Sequence, residues 1–130
     1  MVLDTSAVLA ILLAEPDAAQ YAHQIETAER CSMSSASFLE AAMVIDGRGD
    51  AIASRRLDAF VRESEVKILP FTAEQAQTAR QAFRDFGRGR HKASLNFGDC
   101  ITYALAKELG EPLLFKGNDF AKTDILNALK

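Results

Sequence analysis

Short apolar runs of three or four residues alternate along this chain with longer stretches in which apolar side chains recur every three or four positions. The alternation predicts an α/β domain built on a mostly parallel sheet. Val2-Leu3-Asp4 reads as a short buried strand, followed by a helix from about Ser6 to Ala14, which Glu15-Pro16 breaks. Asp17 is placed to cap a second helix through about Ala28, with Ala18, Tyr21, Ala22 and Ile25 on one face. Cys31-Ser32-Met33 is a second strand, and Ser34-Ser35 can cap the helix that carries Phe38, Leu39, Glu40, Ala42, Met43 and Ile45, ending near Gly47 and Gly49.

A further helix from about Ala51 to Glu63 offers Ile52, Leu57, Phe60 and Val61 to the core, and Val66 to Leu69 reads as a third strand stopped by Pro70. Thr72-x-x-Gln75 resembles a capping box that opens a helix to about Phe86, where Gly87 and Gly89 release the chain into a basic loop. Asn96 caps the next helix, which places Phe97, Ile101 and Leu105 at four-residue spacing. Gly110-Glu111-Pro112 closes it by glycine-then-proline punctuation. Leu113 to Lys116 is a fourth strand, Gly117-Asn118-Asp119 turns beyond it, and Asp124 to Leu129 fits either a last strand or a short helix.

At 130 residues, with 48% hydrophobic and 25% charged positions, the expectation is one compact domain over 1–130 with a single core and no linker. No basic segment leads into a long apolar stretch and no window is long enough to span a bilayer, so a cytoplasmic protein with no membrane partner is expected. Cys31 and Cys100 lie far apart without zinc-ligand spacing, which predicts two buried thiols rather than a disulfide. The formal net charge of −3 opposes polyanion binding through an overall positive field. A local patch is the alternative: Arg80, Arg84, Arg88, Arg90, His91 and Lys92 lie close together, either as a solvated face or as a phosphate-binding surface.

Four carboxylates carry the candidate chemistry. Asp4 ends the first strand, Asp119 follows the fourth, Glu40 lies near the start of the helix after the second, and Asp99 lies in the first turn of the helix after Asn96. Ligands of open α/β sheets bind beyond the carboxyl ends of the strands, so all four fall on the edge where a site is expected. Clustered carboxylates repel one another, and a hard divalent ion such as Mg²⁺ relieves that repulsion while acidifying a bound water. Taken singly, each has a plainer reading: Asp4 as a helix cap, Asp99 as a favourable charge at a helix amino end, Asp119 as a turn residue. Glu40 is the exception, a lone acid in an apolar stretch, which suggests that it faces a cleft.

These residues fall in an ordered set of motifs: Val2-Leu3-Asp4-Thr5-Ser6-Ala7, Ser34-x-x-Ser37-x-x-Glu40, Leu95-Asn96-Phe97-Gly98-Asp99-Cys100 and Leu114-Phe115-Lys116-Gly117-Asn118-Asp119-Phe120. Over essentially its full length the chain resembles the PIN-domain ribonucleases of the VapC toxin family. The resemblance implies an α/β/α sandwich around a parallel sheet, Mg²⁺- or Mn²⁺-dependent endoribonuclease activity, and restraint by a VapB-type antitoxin. It implies Asp4, Glu40 and Asp99 as principal metal-binding and catalytic acids and Asp119 as the fourth, with Asp124 a competitor for that role. Thr5 or Ser6 would orient Asp4 or a metal-bound water, and Asn96 stands beside Asp99.

The basic loop precedes Asn96 and Asp99, so Arg84, Arg88, Arg90, His91 and Lys92 are expected to border the metal site and hold RNA phosphates without reading bases. His91 could instead face solvent or protonate a leaving group. Toxins of this kind usually pair, and a homodimer through an apolar helical face including Phe38, Met43 and Ile45 is expected. Three competing readings remain: a thiol hydrolase built on Cys100 and His91, a phospho-acceptor receiver domain with Lys116 at the end of a late strand, and a PIN-like binding module without catalysis.

Overall fold

The computed structural model describes residues 1–130. Strands β1 (Val2–Leu3), β2 (Ser32–Ser34), β3 (Lys67–Leu69) and β4 (Leu113–Leu114) form one sheet in the order β3-β2-β1-β4, every neighbouring pair parallel. Val2 stands opposite both Ser32 and Leu113, which fixes the register at the centre of the sheet. The chain steps outward from β1 to β3 and then returns to place β4 on the other side of β1. That reversal opens a crevice beyond the carboxyl ends of β1 and β4.

Six helices cover the sheet: α1 (Thr5–Leu12), α2 (Ala18–Thr27), α3 (Ser35–Asp46), α4 (Ala51–Glu63), α5 (Ala73–Phe86) and α6 (Phe97–Leu109). Successive strand residues point to opposite faces, and the core divides accordingly. Leu3, Met33 and Leu114 pack with Val8, Ile25, Ile45 and Leu57 from the first four helices. Val2, Leu113 and Phe115 pack with Ala79 and Ala82 of α5 and Ala104 and Leu105 of α6. The result is a layered α/β/α arrangement with two apolar clusters, one on each face, where a single core was expected.

Local chemistry sets the ends of the elements. α1 stops at Leu12, two residues short of the expected end, because Ala14 turns left-handed with φ 52°. The Glu15 and Ala14 N–H groups then donate back to the carbonyls of Ala10 and Ile11 at 2.9 and 3.1 Å, a Schellman closure. Gly110, at φ 64°, closes α6 in the same way before Pro112. Thr72 accepts from the Gln75 N–H at 3.1 Å, but the Gln75 amide reaches Glu108 at 2.7 Å instead of completing the box. The reciprocal capping box is at Asn96 and Asp99.

Three expectations are corrected. Asp17 occupies the N-cap position of α2 without capping it, since its carboxylate is bound elsewhere. The segment from Asp124 to Leu129 is neither strand nor helix but a single parallel bridge from Asn127 to Leu113, after a 3-10 turn over Phe120–Lys122. Of the residues expected on a dimer face, Ile45 is fully buried and Phe38 half-buried against the core, leaving only Met43 exposed. Both cysteines are free and buried, and no helix is long and apolar enough to cross a membrane.

Candidate metal centre

A cavity of about 300 Å³ at the β1/β4 reversal is lined by Asp4, Glu40, Asp99 and Asp119 together with Thr5, Ser6, Asn96 and Lys116. Four acids separated by as many as 115 positions in the chain meet there because each leaves an element at the same edge of the sheet. Asp4 follows β1 and caps α1, its Oδ2 accepting from the Ser6 N–H at 3.1 Å and from the Ser6 hydroxyl at 2.5 Å. Its Oδ1 accepts from the Thr102 hydroxyl at 2.8 Å. Asp99 and Asn96 cap α6 reciprocally, the Asn96 N–H donating to Asp99 Oδ2 at 3.1 Å and the Asp99 N–H to Asn96 Oδ1 at 2.9 Å.

Glu40 is solvent-exposed on α3 and its carboxylate lies against the amino end of α6. A Cβ added to Gly98 would stand 2.7 Å from Glu40 Oε2 and 3.0 Å from Oε1, so the absence of a side chain at 98 makes room for the carboxylate. Asp119 opens the 3-10 turn and is the acid that reaches the cavity. Asp124 does not: Tyr103 and Lys107 each donate to it at 2.8 Å.

Two of the acids, Asp99 and Asp4, are electrostatically strained. Burial pushes the Asp99 carboxyl up to about 7, with further upward pressure from the charges of Asp4 and Asp119 and only partial relief from the Asn96 N–H. Asp4 is also raised by burial, against the hydrogen bonds from Ser6 and Thr102. A group raised from an ordinary value of 3.8 favours the folded state when protonated, so stability is lost as pH rises through the folded value. Asp17, which bonds to Lys116, and Asp124, whose bonds from Lys107 and Tyr103 overcome its burial, are lowered and act in the opposite sense, but only in the acid range around and below their ordinary value. The melting temperature of the metal-free protein is therefore expected to fall between pH 5 and pH 8, and saturating Mn²⁺ to reduce that fall. Calorimetry across this range checks it, and a rising curve without metal contradicts it.

The donor set fits a hard divalent ion. Every candidate ligand is an oxygen, with no histidine or cysteine in the lining, which suits Mg²⁺ or Mn²⁺ rather than zinc. No three acids are close enough together to make a complete ligand set unaided. Mg²⁺ requires no such cage, since it usually keeps several waters and takes one or two carboxylates with substrate phosphate oxygens.

Other expected residues take different parts. The Thr5 hydroxyl donates to the Ser37 carbonyl at 3.1 Å, leaving Ser6 to orient Asp4. Arg84, Arg88, Arg90, His91 and Lys92 are absent from the cavity lining. The loop folds back on α5 through the Leu95 N–H to Phe86 carbonyl bond at 2.9 Å, Arg90 lies 5.7 Å over the Phe83 ring, and His91 is half-buried edge-on to Phe86. His91 Nδ1 accepts from the Ala93 N–H at 3.0 Å, so the imidazole supports the loop. Burial, then the charge of Asp99, pushes the Cys100 thiol up to about 11, which removes the thiol hydrolase. The strand order also departs from the 2-1-3-4-5 of receiver domains.

Sequence reasoning missed Thr102 and the parts that Gly98 and Lys116 play at the cavity. Thr102 is buried, bonds Asp4, and lies 3.1 Å from the Ser37 hydroxyl, tying α3 and α6 to the acid. Its signal was available, since a hydroxyl three residues after Asp99 shares that helix face.

A parallel α/β/α fold with acids gathered at its switch point defines an acid-site domain of the nuclease type. The PIN domain model matches residues 1–126, and the chain belongs to that family. It is 50% identical over 130 residues to the VapC ribonuclease Mb0625 of Mycobacterium bovis, covering 99% of this chain and 98% of that protein. It is 47% identical over 125 residues to the ribonuclease VapC of Mycolicibacterium smegmatis, covering 96% and 97%. VapC20 of Mycobacterium tuberculosis, a Sarcin-Ricin loop cleaving toxin, shares the fold with a TM-score of 0.77 at 16% identity, covering 96% of this chain and 95% of that one. A toxin-antitoxin complex from Klebsiella pneumoniae matches with a TM-score of 0.69 at 18% identity, covering 95% and 92%. The chain is thus a VapC-type PIN ribonuclease, a group in which dependence on a divalent metal is general.

Proposed function

We propose that the whole chain acts as one PIN domain, the toxin of a toxin–antitoxin pair, and cleaves RNA internally by Mg²⁺- or Mn²⁺-dependent hydrolysis under the restraint of a VapB-type antitoxin. The meeting of Asp4, Glu40, Asp99 and Asp119 in one cavity is the observation that carries this reading. A bound divalent ion supplies an acidified water and charge stabilisation at the phosphate. The protein's part is to hold the ligands: Ser6 and Thr102 fix Asp4, Asn96 fixes Asp99, and Gly98 leaves space for Glu40. Arg84, Arg88, Arg90 and Lys92 are exposed and serve RNA phosphates flanking the cavity, with His91 shaping their loop. Leu39, Met43 and Val44 of α3 and Ile52 of α4 are exposed apolar side chains on which a protein partner, antitoxin or second copy, would sit.

Purified protein is expected to cleave RNA with added Mg²⁺, to stop when EDTA is in excess, and to resume when Mn²⁺ exceeds the chelator. Cleavage undiminished by EDTA overturns the reading. The presence of all four acids in the cavity opposes a silent binding module, which would cleave under none of these conditions.

A further inference from the structure

Lys116 is the only cation among the residues that line the carboxylate cavity. Its ammonium nevertheless bonds none of the four acids. It is held by a separate pair, Glu15 Oε1 at 2.6 Å and Asp17 Oδ1 at 3.0 Å, both on the α1–α2 connection. Its backbone N–H donates to the Ser6 hydroxyl at 3.0 Å, and Ser6 in turn donates to Asp4, so the base of the side chain is anchored to the site. Lys116 is thus fixed at the rim by its backbone and drawn outward at its tip.

The connection is shaped for this contact. Ala14 takes a left-handed conformation, at φ 52°, that residues other than glycine rarely adopt, and Pro16 restricts the next step. Asp17 occupies the N-cap position of α2 and leaves the helix uncapped. An aspartate that binds a lysine 99 positions away, where its ordinary partner is the next turn of backbone, has a tertiary role. An unrestrained ammonium beside four carboxylates would fall among them and compete with a metal ion for the same oxygens.

We propose that Glu15 and Asp17 form a latch that keeps the Lys116 ammonium off the four acids and at the rim, where it meets a phosphate of the RNA backbone. The proposal rests on the metal-dependent ribonuclease reading and identifies a positioning pair and a substrate-contacting cation for that same site. A tie that merely braced β4 against the α1–α2 connection would affect folding alone. The latch affects metal affinity through Lys116, and that dependence can be measured.

The experiment is a cycle of Mn²⁺ titrations by calorimetry on wild type, K116M, E15Q/D17N and the triple variant. Folding is checked by circular dichroism. With the latch intact, K116M should change Mn²⁺ affinity little. Opening the latch should weaken Mn²⁺ binding about tenfold, and K116M in that background should restore most of the loss, a coupling expected only of groups that interact. The same effect of K116M in both backgrounds overturns the latch, because loss of two nearby negative charges would then account for the weakening. So does an open latch with wild-type affinity. In cleavage assays K116M should raise KM for RNA about tenfold with kcat nearly unchanged, as loss of a phosphate contact requires, and an unchanged KM overturns the substrate role. Wild-type protein that binds no Mn²⁺ overturns the reading of the site and the latch with it, whereas Mn²⁺ binding without coupling removes the latch alone.

Discussion

Asp99→Asn is expected to lower RNA cleavage by about 10²- to 10³-fold, the scale of losing one preorganised electrostatic group, while raising the melting temperature of the metal-free protein at pH 8. The two signs have one cause. Asparagine keeps the volume of the side chain and an oxygen that can accept from the Asn96 N–H, so the reciprocal cap on α6 survives. It lacks the charge that burial and the proximity of Asp4 and Asp119 make unfavourable, which is what holds the Asp99 carboxyl near 7. Removing that charge relaxes the fold and, under the proposed function, takes a ligand from the metal. If Asp99 served only as a helix cap, activity and stability would change little together; if the substitution damaged the fold, both would drop. Thermal melts without metal and cleavage assays with Mg²⁺ on the same preparation separate the three outcomes.

The acids were legible because the plain and the chemical readings of Asp4 and Asp99 are compatible. Each does cap a helix, and a cap at the carboxyl edge of a parallel sheet faces the crevice by construction. Glu40 was legible for a less direct reason. Its apolar neighbours Leu39, Met43 and Val44 are themselves on the surface while Ala41 is buried and Phe38 and Ala42 pack against the core, so the stretch that made it conspicuous is only partly core. Local pattern could not anticipate Asp17 or Gln75, whose capping was set aside for Lys116 and Glu108, residues distant in the chain. Nor could it separate Asp119 from Asp124, because that choice depends on Tyr103 and Lys107, one turn apart on α6, reaching Asp124. The basic loop lies outside the cavity lining, tied back to α5 by Leu95, and sequence adjacency to Asp99 carries no information about that tie.

Gly98→Ala is expected to reduce cleavage about 10²-fold, comparable to the loss when a catalytic group is displaced by about 1 Å, without lowering stability. Gly98 is the second residue of α6, and its backbone lies outside the left-handed region, so alanine fits the helix and is favoured there over glycine by up to about 1 kcal/mol. The new methyl group has no space of its own: both oxygens of Glu40 lie within 3.0 Å of its position, with Oε2 at 2.7 Å. Glu40 ends a flexible side chain on an exposed stretch of α3, so it moves aside and the helices stay in place. The displaced carboxylate no longer lies in the cavity that Asp4 and Asp99 line, where the proposed function puts the metal ion. Mn²⁺ affinity should therefore fall along with kcat, and the melting temperature of the metal-free protein should hold or rise. A second substitution, Glu40→Gln, tests the route: once that ligand charge is gone, adding Gly98→Ala should cost little more. If the two losses multiply instead, Gly98 acts on some other part of the site and the displacement of Glu40 is not the cause.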